Sequence, residues 1–230
     1  NMKKTPLLLA LFLVVLCLYS NAQPIRAYVS SGGIVSQIEG DELKGFSHFG
    51  FMGGVGASME LNRRGSVVLA VETNFAQRGV FNRSGDPYNI DMTLNYVDIP
   101  VSMYYHDLRG GMYVGGGLAY GRLVGQPSGV IKYNPNYFIP DTTNMDFLRN
   151  DISIHLEFKF VIWKALLMSF RYQASIMPIK KNWAFEGYHD VMSNVRTTEY
   201  NDCYNQSVSV RLSWVFGSNE GDRMRRKKRR

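Results

Sequence analysis

His155 and Glu157 stand two residues apart, so on an extended strand they share a face. With Ser153, Ser169 or Ser209 they supply the base, carboxylate and nucleophile of a hydrolytic triad. Lys159 continues that face, and Glu72, Arg171 and Arg211 hold comparable positions in other strand-like segments. Together, Glu72, Glu157, Lys159, Arg171 and Arg211 have a second reading. Inside a closed sheet they form a lumen charge network, because buried ions must pair whether or not chemistry occurs. A site acting on lipid needs access near a rim, whereas these residues are predicted in the interior, so the ion-pair reading is preferred and no catalytic residue is assigned. The four histidines show no metal-ligand spacing, and the chain implies neither metal nor cofactor.

Two further groups are candidates for binding. Tyr133, Tyr137, Phe138, Trp183, Phe185 and Tyr188 fall in the two longest predicted connections, where exposed aromatics bury large area with little loss of side-chain freedom. The same rings could instead pack on one another over a barrel mouth. Arg223, Arg225, Arg226, Lys227, Lys228, Arg229 and Arg230 form a basic run near the end of the sequence. Its composition suits an anionic surface. Behind an export signal, nucleic acid is a poor fit, and phosphate-bearing lipid, acidic envelope polymer or an acidic periplasmic partner fits better. A solvated tail without a partner is the plain alternative.

The elements that position these groups begin with a leader. Lys3-Lys4, an apolar run from Leu7 to Leu18 and then Ser20-Asn21-Ala22 follow the order of a cleaved secretory signal peptide. The apolar run falls short of the ~20 residues of a spanning helix. Leu16 stands where a lipoprotein signal needs a small residue, so Cys17 reads as part of the signal core. The expected organisation is a signal over 1–22, a barrel over 23–217 and a basic tail over 218–230. Removing the leader leaves Cys203 as the single thiol, which excludes an intramolecular disulfide. Of 26 basic and 19 acidic residues, two basic ones lie in the leader, and seven basic and two acidic ones in the tail. The body between is balanced, and the net charge of +7 belongs to the ends.

Period-two alternation predicts the strands. From Ile152 to Ile162 one face holds Ile152, Ile154, Leu156, Phe158 and Phe160, and the other Ser153, His155, Glu157 and Lys159. The same pattern runs over 166–176 and 207–216, and more loosely over 27–37, 47–61, 66–80, 91–105 and 111–125. Eight strands result, several of them reaching the roughly 9 to 11 residues that a tilted strand needs to cross hydrocarbon. Short links at 62–65, 106–110 and 163–164 alternate with long ones near 38–46, 81–90, 126–149 and 178–202. Brief periplasmic turns and large outer loops are the mark of an outer-membrane barrel, and an even strand count puts both termini in the periplasm.

Alternation alone leaves open which face is inside, and a soluble lipocalin-like carrier of an apolar ligand would turn the apolar face inward. Three features favour the membrane arrangement. Charges would be costly in lipid and an eight-stranded interior has room only for side chains. Trp163, Trp214, Phe216, Tyr104 and Tyr105 fall near the periplasmic interface, where aromatic girdles lie. Gly115, Gly116, Gly117 and Gly121 crowd one strand, which permits close approach inside a small barrel.

Gly50-Phe51-Met52-Gly53-Gly54-Val55-Gly56, the segment Glu72 to Gly79 ending Gln77-Arg78-Gly79, Tyr96-Val97-Asp98-Ile99-Pro100, and Tyr113-Val114-Gly115-Gly116-Gly117 carry a resemblance over nearly the whole mature chain. The chain resembles the Bacteroidota-type outer-membrane β-barrel family, often labelled PorT-like. The resemblance implies an all-β, eight-stranded antiparallel transmembrane barrel assembled by the outer-membrane insertion machinery. It implies no single activity, although the named PorT proteins serve a secretion system. The expected function is a non-enzymatic outer-membrane barrel with a plugged lumen, in contact with outer-membrane lipids and with envelope or secretion-system proteins. A lipid-modifying enzyme and a soluble apolar-ligand carrier are the alternatives.

Overall fold

Period two in the sequence becomes inside and outside in space. The computed structural model describes residues 25–41, 43, 45–62, 64–82, 88–107, 110–133, 139–140, 146–188 and 196–217. Its strands are β1 (Arg26–Glu39), β2 (His48–Glu60), β3 (Val67–Asn82), β4 (Tyr88–Asp107), β5 (Met112–Leu123), β6 (Ser128–Tyr133), β7 (Ile139–Pro140), β8 (Asn150–Trp163), β9 (Leu166–Ser175), β10 (Lys180–Tyr188) and β11 (Arg196–Val215). Eight of them form an antiparallel ring in the order β1-β2-β3-β4-β5-β8-β9-β11. β11 then pairs β1 from Tyr28↔Val215 to Glu39↔Tyr204. Closure leaves the ring no free edge.

On β8 the residues Ile152, Ile154, Leu156 and Phe158 are exposed on the outer wall, Leu156 by 61 %, while Ser153, His155, Glu157 and Lys159 are buried within. An outer wall of this kind is stable in acyl chains, and the ionic side chains are kept from lipid. A soluble carrier needs the reverse, with the apolar row around a central cavity. Among the described residues no helix is long and apolar enough to cross a membrane, and strands carry the apolar surface. Tyr105, Trp163, Trp214 and Phe216 are exposed outward beside the periplasmic turns. Tyr104 is not part of that girdle. It shares parity with the inward Ser102, is 2 % exposed, and directs its phenol into the lumen.

The periplasmic turns close as their residue types require. Between β2 and β3, the Asn62 carboxamide oxygen accepts the backbone N–H groups of Ser66 (2.8 Å) and Val67 (3.2 Å), and Gly65 adopts φ 72°. Between β4 and β5, Asp107 Oδ2 accepts the Gly110 N–H at 3.0 Å, and Gly111 adopts φ 67°. Lys164, at φ 43°, turns β8 into β9.

At the other end, much of what reads as loop is sheet. β3 and β4 run on to Asn82 and from Tyr88, β6 pairs β4, and the 178–202 stretch holds β10 and the first part of β11. β10 in turn pairs β7. These extensions bring Ile38, Val80, Ile90, Met92, Leu94, Leu123, Phe147, Ile179, Trp183 and Cys203 into one buried apolar cluster over the outer end of the barrel. Trp183 is therefore not an exposed loop residue. It is 1 % exposed, meets Phe147 edge-on at 5.9 Å, and lies under the Lys180 ammonium at 5.3 Å.

Candidate functional site

Side-chain parity delivers the charges to one level of the lumen. Glu72 from β3 faces Glu157 and Lys159 from β8, Arg171 from β9 and Arg211 from β11, all buried. Glu157 and Arg171 are direct cross-strand partners, whereas Glu72 reaches the cluster from the opposite wall. Arg171 Nη2 lies 2.7 Å from Glu157 Oε2 and 3.0 Å from Glu72 Oε2. Arg211 Nη1 is 2.8 Å from Glu72 Oε2, and its Nη2 binds Glu157 Oε1. Each arginine thus holds both carboxylates: Arg211 with its two Nη atoms, and Arg171 with a shared Nη2, adding an Nε bond to Glu157 at 3.2 Å. Lys159 Nζ stands farther off, 3.5 Å from Glu72 and 3.6 Å from Glu157.

Neutral groups complete the cluster. The Tyr28 hydroxyl donates to Glu72 Oε1 at 2.9 Å, Tyr104 donates to Glu157 Oε2 at 2.5 Å, and Asn74 donates to Glu72 Oε2 at 2.8 Å. Gly56 on β2 makes room for the first of these, since a Cβ there would lie 2.5 Å from the Tyr28 ring. The Lys159 ammonium lies over both phenol rings, 5.4 Å from the Tyr28 centroid and 4.3 Å from that of Tyr104.

A second ionic group, which the sequence reading missed, sits toward the outer end. Arg78 from β3 binds Asp98 from β4 and lies 3.2 Å from Asp151 of β8, and its guanidinium packs 5.1 Å from the Tyr96 ring under the apolar cap. Parity was the available signal. Arg78 is six positions from Glu72 and Asp151 six from Glu157, so each must share its neighbour's face. The two groups are charge-complementary. Three cations meet two carboxylates at the inner level, and one arginine meets two aspartates at the outer.

Between them the triad residues take other partners. His155 Nε2 pairs with Ser102 Oγ at 2.8 Å, while Ser153 Oγ accepts from Gln173 at 2.7 Å. Glu157 is held by arginines and Tyr104, and all of these groups are buried in the lumen. Ser169 and Ser209 face the same interior from β9 and β11. Of the aromatic surface candidates, Tyr133 lies on β6, and Phe185 and Tyr188 on β10. Tyr137, Phe138, the 1–22 leader and the Arg223 to Arg230 run lie outside the described residues. Among the described residues no group of His, Cys, Asp and Glu could hold a metal ion.

At the periplasmic end, below the inner network, Tyr28, Val68, Ala70, Tyr104, Tyr113, Leu167 and Val215 form a further apolar cluster. It surrounds a cavity of about 50 Å³ with Lys159 at its floor and Arg26 and Glu60, 2.5 Å apart, at its edge.

The chain is similar in structure to the attachment invasion locus protein Ail of Yersinia pestis, at 13 % identity over 83 % of this chain and 98 % of that one, with a TM-score of 0.44. It is likewise similar to neisserial surface protein A (13 % identity, 82 % and 96 % covered, TM-score 0.42) and to OprG of Pseudomonas aeruginosa (10 % identity, 84 % and 97 % covered, TM-score 0.37). Likenesses this remote carry nothing about activity or partners. No curated protein matches the chain. A family model described as outer membrane protein beta-barrel domain matches residues 8–216. With its ring closed, its apolar side chains outward and its charges within, this chain belongs to the outer membrane protein beta-barrel family.

Proposed function

We propose that the protein is a non-enzymatic barrel with a plugged lumen, which acts through its outer sheet and basic tail as a structural or interaction component of the bacterial envelope, accessory to secretion or transport. One observation carries this reading: Glu72 and Glu157 are tied to Arg171, Arg211 and Lys159 across the full width of the ring. Parting these charges leaves buried ions uncompensated, so the network resists opening. The apolar cap around Trp183 lies over the same path at the outer end. The non-enzymatic part is supported by His155, which is bonded to Ser102 within the lumen, and by Glu157, whose oxygens are engaged by Arg171 and Arg211. In this reading residues 1–22 direct export and the barrel-insertion machinery assembles the ring. Residues 218–230 then meet phosphate-bearing lipid or an acidic partner at the periplasmic face, and nucleic acid is not a partner.

Conductance tests the central claim. Purified protein in a planar bilayer is expected to show no wide, steady pore, and a large continuous current carried by the wild-type barrel would overturn it.

A further inference from the structure

We infer that the periplasmic mouth of the barrel is a binding site for a small monocarboxylate, whose carboxyl group is taken by Lys159 and whose short alkyl part lies against Val68, Ala70, Leu167 and Val215. Four observations converge on it. The cavity is built with a cationic floor and apolar walls, a combination that matches an acid with a short chain. The inner level has one more cation than carboxylate, and the offsetting surplus carboxylate lies with Arg78 at the outer level, away from this cavity, so an incoming anion meets local positive charge. Lys159 is the one cation of the inner network that lines the cavity, and its contacts with Glu72 and Glu157 are 3.5 and 3.6 Å, against 2.7 to 3.0 Å for the Arg171 contacts. Finally, the Tyr28 and Tyr104 hydroxyls are spent on Glu72 and Glu157, so the phenols present ring faces to the ammonium and do not compete for an anion.

Size selects within the class. The cavity, about 50 Å³ and open at the mouth, seats a carboxyl end with its first carbons, so a short acid such as propionate is the simplest ligand that reaches both its cation and its apolar walls. Ser58 and Ser213, also lining it, offer hydroxyls to the second carboxylate oxygen. The site shares Lys159 with the lumen plug, yet Arg171 and Arg211 also hold Glu72 and Glu157, and ligand entry needs only the mouth to be open to the periplasm.

The test uses the full barrel refolded in nonionic micelles, with methyl groups of Ala, Val and Leu labelled for NMR. Propionate is expected to shift the Ala70, Leu167 and Val215 methyls saturably, while propionamide, of the same shape without the charge, leaves them in place. Lys159→Met should weaken the response roughly tenfold or more, as loss of a hydrogen bond to a charged group does. Lys181→Met, an exposed cation on β10 at the opposite end of the barrel, should preserve it. If Lys159→Met fails to regain heat-modifiable mobility, Ala70→Leu serves instead, since it fills the cavity and leaves every charge in place, and it should abolish the response. Equal shifts from propionamide or from chloride overturn the proposal, as does a full propionate response in a folded Lys159→Met or Ala70→Leu protein.

Discussion

Arg171 and Arg211 each contact both Glu72 and Glu157, and this redundancy makes the acids, not the bases, the sensitive members of the network. Arg171→Met leaves two cations facing two carboxylates, whereas Glu157→Gln leaves three cations on one. Glu157→Gln is therefore expected to destabilise by about 3–5 kcal/mol, the usual cost of stranding buried charge, and Arg171→Met by less. Urea unfolding in lipid vesicles, followed by tryptophan fluorescence, ranks the two, and the reverse order would contradict the charge count. Parity explains what was legible at this scale. Glu157, Lys159, Arg171 and Arg211 lay in segments clean enough for one face to be read, and Glu72 was added from a looser one by its charge. Arg78 and Asp151 shared that parity at the outer ends of their segments and were not counted, and Asp98 lay in a looser segment; the structure buries all three. Tyr104 was misplaced because adjacent tyrosines cannot both face lipid, and it is Tyr105 that does.

β8 shows how a single element reads the depth of its surroundings. Leu156 lies midway along the strand and Ile162 beside the periplasmic turn, both on the outer wall. Leu156→Arg is expected to cost about 2–4 kcal/mol and Ile162→Arg about 0–1, because an outward charge is worst at the bilayer midplane. Equal, near-zero costs in vesicle unfolding would mean that the wall meets water. Hydrocarbon imposes the apolar alternation that made β8, β9 and the last part of β11 legible. Beyond that slab the constraint lapses: the link to Asp202 reads as polar loop, yet pairing with β10 makes its part from Arg196 onward strand. Trp183 follows from the same gap, for a residue assigned to a loop proves to be an inward position on β10.

For the whole molecule, strand count and orientation were readable from the rhythm of long and short connections, since hydrocarbon thickness and antiparallel pairing leave few other ways to join eight strands. The two ionic levels offset one another, so the barrel carries its charges without a large net field inside. The excess positive charge of the sequence is left to its ends. Deleting residues 218–230 is accordingly expected to leave heat-modifiable folding unchanged while reducing capture of vesicles rich in anionic lipid. Failure of insertion in the shortened chain would assign the segment to assembly.

The seam between the first and last strands has a consequence for biogenesis. Tyr28 leaves the ribosome long before its ladder partner Val215, so the ring cannot shut until translation is complete. A chain without its last strand keeps two unzipped borders, each a template for illicit pairing. A polypeptide stopped short of Arg196 has no lawful mate for β1, and its barrel cannot shut.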